Sequence, residues 1–286
     1  MMTLTRRSFL KGSTTGLAGA VVLPGLMTSL LAAAPSKIRI AARHFGGDCQ
    51  RAKQAGMDGV EVGVGGRADT LEIANPAVRQ KYKDSAQAAG LAVSSLSMDL
   101  LNTYPLFEDS QAPAWVGQCI DAAKDLGAKA MLVPFFGKAN LVQGKEFKKD
   151  AVDALVGRLK ELAPKAKAAG VTLGIECTLS AKKYLELLDR VGSEAVGAYY
   201  DIGNCTNAGL DVPADIKELK GRMCMIHFKD GGSYLGEGKV KMEPVAEALH
   251  AINYQGWIVL ETSNPSKDAI ADCKRNGDFA RKLMGL

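Results

Sequence analysis

Four apolar runs in the second half of the sequence each end in a side chain that can bind a metal ion. The runs VTLGI, VGAYY, MCMI and WIVL are followed by Glu176, Asp201, His227 and Glu261, at intervals of 25, 26 and 34 residues. Runs of this length and character are typical of strands covered on both faces. Because parallel strands present their carboxyl ends at one edge of a sheet, we expect these four side chains to lie together.

Three carboxylates and one imidazole at a single rim would repel one another unless a cation lay between them. This hard, oxygen-rich set of ligands suits one divalent ion, with Mn²⁺ expected and Mg²⁺, Co²⁺ or Zn²⁺ as alternatives. Each residue also has a structural interpretation, since Glu176 or Glu261 could form a salt bridge at the rim and Asp201 could cap a helix. Likewise, His227 could be an ordinary buried histidine. Four such residues at equivalent strand ends favour the metal site.

The elements that must position these residues alternate regularly along the chain. Eight β-rich runs begin at Ile38, Gly59, Leu91, Lys129, Val171, Val196, Met223 and Trp257. Between them lie segments with helical periodicity, most of which end in glycine, the usual helix stop. Strict alternation of strands and helices indicates parallel pairing. Eight units in about 250 residues predict an α/β fold, a single-domain (β/α)₈ TIM barrel.

An open, doubly wound sheet is the competing architecture. Such sheets usually have fewer strands and often carry a glycine-rich phosphate loop after the first strand. The first strand here ends in RHFGGD, which lacks the GxGxxG pattern. The barrel is therefore the preferred prediction.

The N-terminal residues have the composition of a targeting signal. Arg6, Arg7 and Lys11 precede an uncharged stretch from Gly12 to Ala34 that is rich in small and apolar residues. This arrangement resembles a bacterial twin-arginine signal peptide. We therefore expect residues 1–34 to be removed on export to the periplasm or beyond, leaving 35–286 as the barrel. A membrane anchor is the alternative, but Pro24 and several glycines disfavour a permanent span.

Charge and cysteine usage exclude several classes of protein. Removal of residues 1–34 lowers the formal net charge from +5 to +2, and no basic patch with interleaved aromatic residues remains, so a nucleic-acid partner is not expected. The six cysteines form no CxxC pair, which argues against a zinc ribbon or a disulfide scaffold. One or two disulfides formed after export remain an open alternative.

Several motifs in the second half resemble the xylose isomerase-like TIM barrels of the sugar phosphate isomerase/epimerase superfamily. They are GIE at Gly174, YYDIGN at Tyr199, IHFKD at Ile226, LGEGKVKMEPVAEAL at Leu235 and GWIVLET at Gly256. The resemblance is specific from residue 171 to 263 and extends back to the second strand. It implies that the four rim residues bind one divalent metal and that Glu176 and Glu261 are also the catalytic acid/base pair.

The resemblance also implies a class of reaction. The expected enzyme is an exported, metal-dependent isomerase or epimerase that moves a proton on a sugar or keto-sugar derivative through an enediolate. Members with three metals act on DNA and need more histidines than the two, His44 and His250, that remain here. Ketose 3-epimerases carry a histidine and an arginine at the positions of Asn204 and Ser233, so contacts with the substrate differ. Candidate substrate contacts are His44, Glu61, Asn204, Lys229 and Asp230.

Two other functions fit the same residues. A lyase or dehydratase would use the same enediolate to expel a group from the neighbouring carbon. A sugar-binding protein would keep the barrel without catalysis. A small-molecule carbohydrate is the expected partner in all three cases, and a homo-oligomer is compatible with the sequence. A phosphorylated substrate is disfavoured, because no basic or glycine-rich phosphate cradle is evident.

Overall fold

The computed structural model describes residues 38–144 and 146–286, which belong to one compact unit. Eight parallel strands close into a barrel in the order β1-β10-β9-β8-β7-β4-β3-β2. The barrel strands are β1 Ile38–Ala42, β2 Gly59–Gly63, β3 Ala92–Ser97, β4 Ala130–Pro134, β7 Thr172–Glu176, β8 Val196–Asp201, β9 Met223–Phe228 and β10 Gly256–Leu260. Two short strands, β5 Val142–Gln143 and β6 Glu146–Phe147, form an antiparallel hairpin after β4. The predicted TIM barrel is confirmed.

Helices follow the barrel strands and cover the outside of the barrel. They are α1 Cys49–Gln54, α2 Pro76–Ala89, α3 Ala112–Leu126, α4 Lys149–Ala169, α5 Ala181–Val191, α6 Ile202–Asn207, α7 Val212–Leu219, α8 Met242–Ala251 and α9 Ala269–Met284. Helices α2, α3, α4, α5 and α9 each end at a glycine in the left-handed conformation. A glycine has no Cβ and adopts this conformation without strain, which explains the predicted helix stops.

Side chains inside the barrel come from alternate positions along the strands. A small interior cluster includes Ala41 of β1, Leu132 of β4, Tyr199 of β8 and Val259 of β10. Gly174 makes room for it, because a Cβ at this position would lie 3.0 Å from the Cβ of Tyr199. The Tyr199 ring can therefore fill the middle of the barrel with its hydroxyl directed at other polar groups.

All six cysteines lie within the described residues and are free thiols. Five are buried, and Cys224 is half-buried. Burial raises the pKa of the Cys273 thiol to about 12, and it raises the pKa of Cys224 to a similar value. None of the six forms a disulfide in the described residues.

The predicted signal peptide, residues 1–34, lies outside the described residues. Within residues 38–144 and 146–286, no helix has both the length and the apolar character that crossing a bilayer requires.

Candidate metal centre

Four neighbouring strands bring the predicted metal ligands to one end of the barrel. Glu176 and Asp201 are the last residues of β7 and β8, and His227 is the second-last residue of β9. Glu261 directly follows β10, where its backbone N–H donates to the carbonyl of Phe228. One potential ligand atom from each of the four side chains lies within 4.8 Å of the others. The structure thus brings together the four residues that the sequence singled out.

The imidazole of His227 lies at the centre of this cluster. Its Nδ1 atom is 3.0 Å from Glu176 Oε1, 3.3 Å from Glu261 Oε2 and 3.9 Å from Asp201 Oδ2. Glu176, Asp201 and His227 are buried, whereas the Glu261 side chain is 28% exposed. A small molecule would therefore approach the cluster from the side of Glu261.

The surroundings of the two glutamates shift their pKa values in opposite directions. Burial, together with the charges of Asp201 and Glu261, outweighs the attraction of His227 and raises the pKa of Glu176 to about 7. Burial also opposes ionisation of Glu261, but His227, Lys229 and Arg43 together hold the pKa of Glu261 well below its usual value. In the metal-free protein a proton is therefore retained far more readily on Glu176 than on Glu261.

Lys229 reaches into the cluster instead of projecting into solvent. Its Nζ atom lies 2.8 Å from Glu261 Oε2 and 2.9 Å from Asp201 Oδ2. Gly203 permits this path, because a Cβ at that position would come within 2.5 Å of the Lys229 Cγ. Lys229 therefore places a positive charge between two of the three carboxyl groups of the cluster.

Three observations indicate that the cluster could bind a divalent cation. The donors are three carboxylates and an imidazole, the set that suits hard or borderline divalent ions. Asp201 Oδ2 is buried and accepts no hydrogen bond, although it is ion-paired with Lys229. Burial raises the pKa of Asp201 despite the opposing charges of Lys229 and His227. Buried acids held close together in this way are stabilised when a cation lies between them.

A second layer of polar groups lies beside the ligands. Glu61 of β2 is fully buried and accepts hydrogen bonds from Arg43, Ser95 and Tyr199. Arg43 also contacts Asp99 at 2.7 Å and, through Nε, Glu261 at 3.2 Å. Burial disfavours a charge on Glu61, but His227 and Arg43 lower the pKa of its carboxyl to about 2.

Arg43 was missed by the sequence prediction, which chose its neighbour His44. Ala41 of β1 faces the barrel interior, so the alternation of side chains along the strand points Arg43 inward and His44 outward. His44 packs edge-on against Phe45, and its buried Nε2 has no hydrogen-bond partner. Burial, together with the charge of Arg51, lowers the pKa of His44. Extending the two-residue alternation from Ala41 along the strand would have identified Arg43 as an inward-facing residue.

The other predicted substrate contacts occupy different positions. Asn204 donates its backbone N–H to Asp201 Oδ1, so that Asp201 is both a helix cap and a member of the cluster. Asp230 accepts hydrogen bonds from the backbone N–H groups of Gly236, Gly238 and Val240. The Asp230 carboxylate therefore organises the loop after β9. Of the five predicted substrate contacts, Glu61 and Lys229 contact the ligand cluster through their side chains.

The sequence of the chain identifies its family. Residues 49–283 match the family described as Xylose isomerase-like TIM barrel. This match covers most of the chain, and the protein belongs to that family. Among solved structures, that of an L-ribulose 3-epimerase superimposes with a TM-score of 0.72 at 20% identity, covering 87% of this chain and 95% of the other. At this identity the likeness shows the fold alone.

Two curated relatives share more of the sequence. A 2-epi-5-epi-valiolone 7-phosphate 2-epimerase from an Actinoplanes species is 28% identical over 185 residues, which are 63% of this chain and 66% of the relative. The L-ribulose-5-phosphate 3-epimerase UlaE of Escherichia coli is 25% identical over 258 residues, covering 82% of this chain and 88% of its own. Both relatives are named as epimerases of a phosphorylated compound.

Proposed function

We propose that this protein is a divalent-metal-dependent sugar epimerase or isomerase acting on a keto sugar or keto-sugar derivative. The observation that carries the proposal is the cluster of four ligand groups within 4.8 Å, two of which are glutamates in contrasting environments. Membership of the Xylose isomerase-like family and the epimerase relatives support the same class of reaction.

Each residue of the cluster has a defined task in such a reaction. Asp201, His227, Glu176 and Glu261 would hold the ion, with Mn²⁺ as the proposed metal. When bound, a divalent ion polarises a carbonyl and acidifies the neighbouring carbon-bound proton. Glu176 and Glu261 would remove that proton and return it, because a carboxylate can direct one oxygen to a metal and the other to a substrate. Lys229 would supply a positive charge beside the developing enediolate of the substrate.

Exchange of a carbon-bound proton with solvent tests this function directly. Residues 35–286, loaded with Mn²⁺, would be incubated in D₂O with a panel of free and phosphorylated ketoses, and deuterium at carbon would be followed by mass spectrometry. We expect one class of ketose to gain a single deuterium and to form an epimer or isomer of unchanged composition. Loss of water or of a carbon fragment would instead establish a lyase. Binding without exchange or turnover would establish a sugar-binding protein.

We further propose that the enzyme is exported by the twin-arginine route. The support is the sequence around Arg6 and Arg7 and the uncharged stretch that follows. Replacing both arginines with lysine keeps the charge but removes the paired guanidinium groups. In a bacterium with an active twin-arginine system, we expect the wild-type chain in the periplasmic fraction and the double variant in the cytoplasm. Equal export of both chains would refute this route.

A further inference from the structure

We propose that Glu61 is a positioning residue that fixes the tautomer and ring orientation of His227 for metal binding. Its carboxylate would accept a hydrogen bond from the His227 Nε2–H, leaving the Nδ1 lone pair free to face Glu176, Asp201 and Glu261. This inference rests on the proposed metal-dependent function, and it replaces substrate contact as the role of Glu61.

The orientation of His227 determines which nitrogen can bind a metal. Nδ1 is the nitrogen within 4 Å of Glu176, Asp201 and Glu261, so Nδ1 is the ligand atom. A nitrogen that coordinates a metal cannot carry a proton, and the proton of a neutral imidazole must then reside on Nε2. In the metal-free structure Nδ1 lies 3.0 Å from Glu176 Oε1, a contact that metal binding would have to replace.

Glu61 is the group placed to accept a hydrogen bond from the Nε2–H. Nε2 is buried without a hydrogen-bond partner, and Glu61 Oε1 lies 3.5 Å from it. The contact of Glu61 with His227 is to Nε2, whereas those of Glu176, Asp201 and Glu261 are to Nδ1. A ring shift of about half an ångström would bring the two atoms to hydrogen-bond distance. Histidines that bind metals usually donate their second ring N–H to such a partner.

Three hydrogen-bond donors from the protein fix the position of the Glu61 carboxylate. These contacts favour a positioning role for Glu61 over direct contact with a substrate. Tyr199 donates to Oε2 at 2.6 Å, Ser95 donates to Oε2 at 2.7 Å, and Arg43 donates to Oε1 at 2.8 Å. The ring of Tyr199 also lies 4.5 Å from the ring of His227 and packs against it. Glu61 is only 1% exposed, which separates it from any substrate at the open side of the cluster.

The first test compares the metal affinity of two variants with the same change of charge. Glu61→Gln keeps the shape of the side chain but weakens its acceptor for Nε2. Asp99→Asn is the matched control, because Asp99 also pairs with Arg43 yet is 57% exposed and does not contact His227. Calorimetric titration of the metal-free proteins with Mn²⁺, without sugar, should show affinity reduced about 10- to 100-fold in Glu61→Gln. Asp99→Asn should remain within about threefold of wild type.

Three outcomes of this titration would overturn the inference. Unchanged Mn²⁺ affinity in Glu61→Gln would show that Glu61 does not position His227. An equal loss in Asp99→Asn would assign the effect to the charge of Arg43. If wild type itself bound no Mn²⁺, the proposed function would fail together with the inference. If wild type bound Mn²⁺ normally and only the variant prediction failed, the proposed function would stand.

A second measurement needs no variant and remains informative if Glu61→Gln does not fold. Nitrogen-15 NMR of wild-type protein loaded with diamagnetic Zn²⁺ reports which ring nitrogen of His227 carries hydrogen. We expect the proton on Nε2, with its exchange with water slowed by the contact with Glu61. A proton on Nδ1, or an Nε2 proton that exchanges freely with water, would overturn the assignment.

Discussion

Replacing Glu176 with glutamine should reduce the exchange of the substrate's carbon-bound proton with solvent by about 10²- to 10⁴-fold. Glutamine has nearly the same shape and keeps one oxygen that can face a metal, but it cannot take up a proton. The Glu176 carboxyl is buried, and its pKa is raised to about 7, so its protonation is sensitive to the presence of an ion nearby. Deuterium uptake from D₂O by the ketose identified for the wild-type protein measures the loss.

The interpretation of this variant depends on its metal content, because Glu176 is also a proposed ligand. Exchange should therefore be measured at a Mn²⁺ concentration that saturates both proteins, and Glu261→Gln should be measured beside it. Glu237→Gln is the matched control, since Glu237 is exposed and pairs with Arg275 away from the cluster. Its exchange rate should equal that of wild type. Retained exchange in saturated Glu176→Gln would remove Glu176 from the acid/base pair.

The second large effect is expected for His227→Ala, which should abolish stoichiometric metal binding. His227 is fully buried and supplies one of the four donor groups. Its removal takes away a ligand and leaves the carboxylates of Glu61 and Glu176 without their shared neighbour. We expect about one divalent ion per wild-type chain and a metal affinity lower by at least about 100-fold in the variant, because loss of even an outer-shell partner costs 10- to 100-fold.

Elemental mass spectrometry of purified residues 35–286, before and after incubation with Mn²⁺, measures this stoichiometry. His250→Ala is the control for a generic loss of histidine, because His250 is exposed on α8. Thermal unfolding of the metal-free proteins separates loss of the ligand from loss of the fold. Equal metal content in wild type and His227→Ala, or no metal in either protein after incubation, would show that the four residues have a structural role.

The barrel and the ligand cluster were predictable because both depend on short-range periodicity. Each barrel strand is a mainly apolar run, and most of these runs begin shortly after a glycine that ends the preceding helix. The observed strands begin within one residue of the predicted positions. Glu176, Asp201 and Glu261 are identified simply as the first charged residues after such runs. Closure of the barrel then places them together, as the fold requires.

The second layer around Glu61 was less accessible to sequence analysis because it depends on contacts between distant strands. Arg43, Ser95 and Tyr199 belong to or follow three different strands, and only the closed barrel brings them to the same carboxylate. The motif IHFKD shows most clearly where sequence analysis fails to predict the role of a side chain. Lys229 joins the ligand cluster, whereas its neighbour Asp230 binds backbone amides of the following loop. Adjacent polar residues were predicted to share a role, and the backbone directs them to different ones.

Burial of five of the six cysteines protects their thiols from the redox potential of the surroundings. Thiols react as thiolates, and a thiol whose pKa is about 12, such as that of Cys224 or Cys273, is almost entirely protonated near neutral pH. Formation of disulfides and oxidation to sulfenic acid both begin with a thiolate that oxidants can reach. The five buried thiols would therefore stay reduced in an oxidising compartment as long as the barrel remains folded.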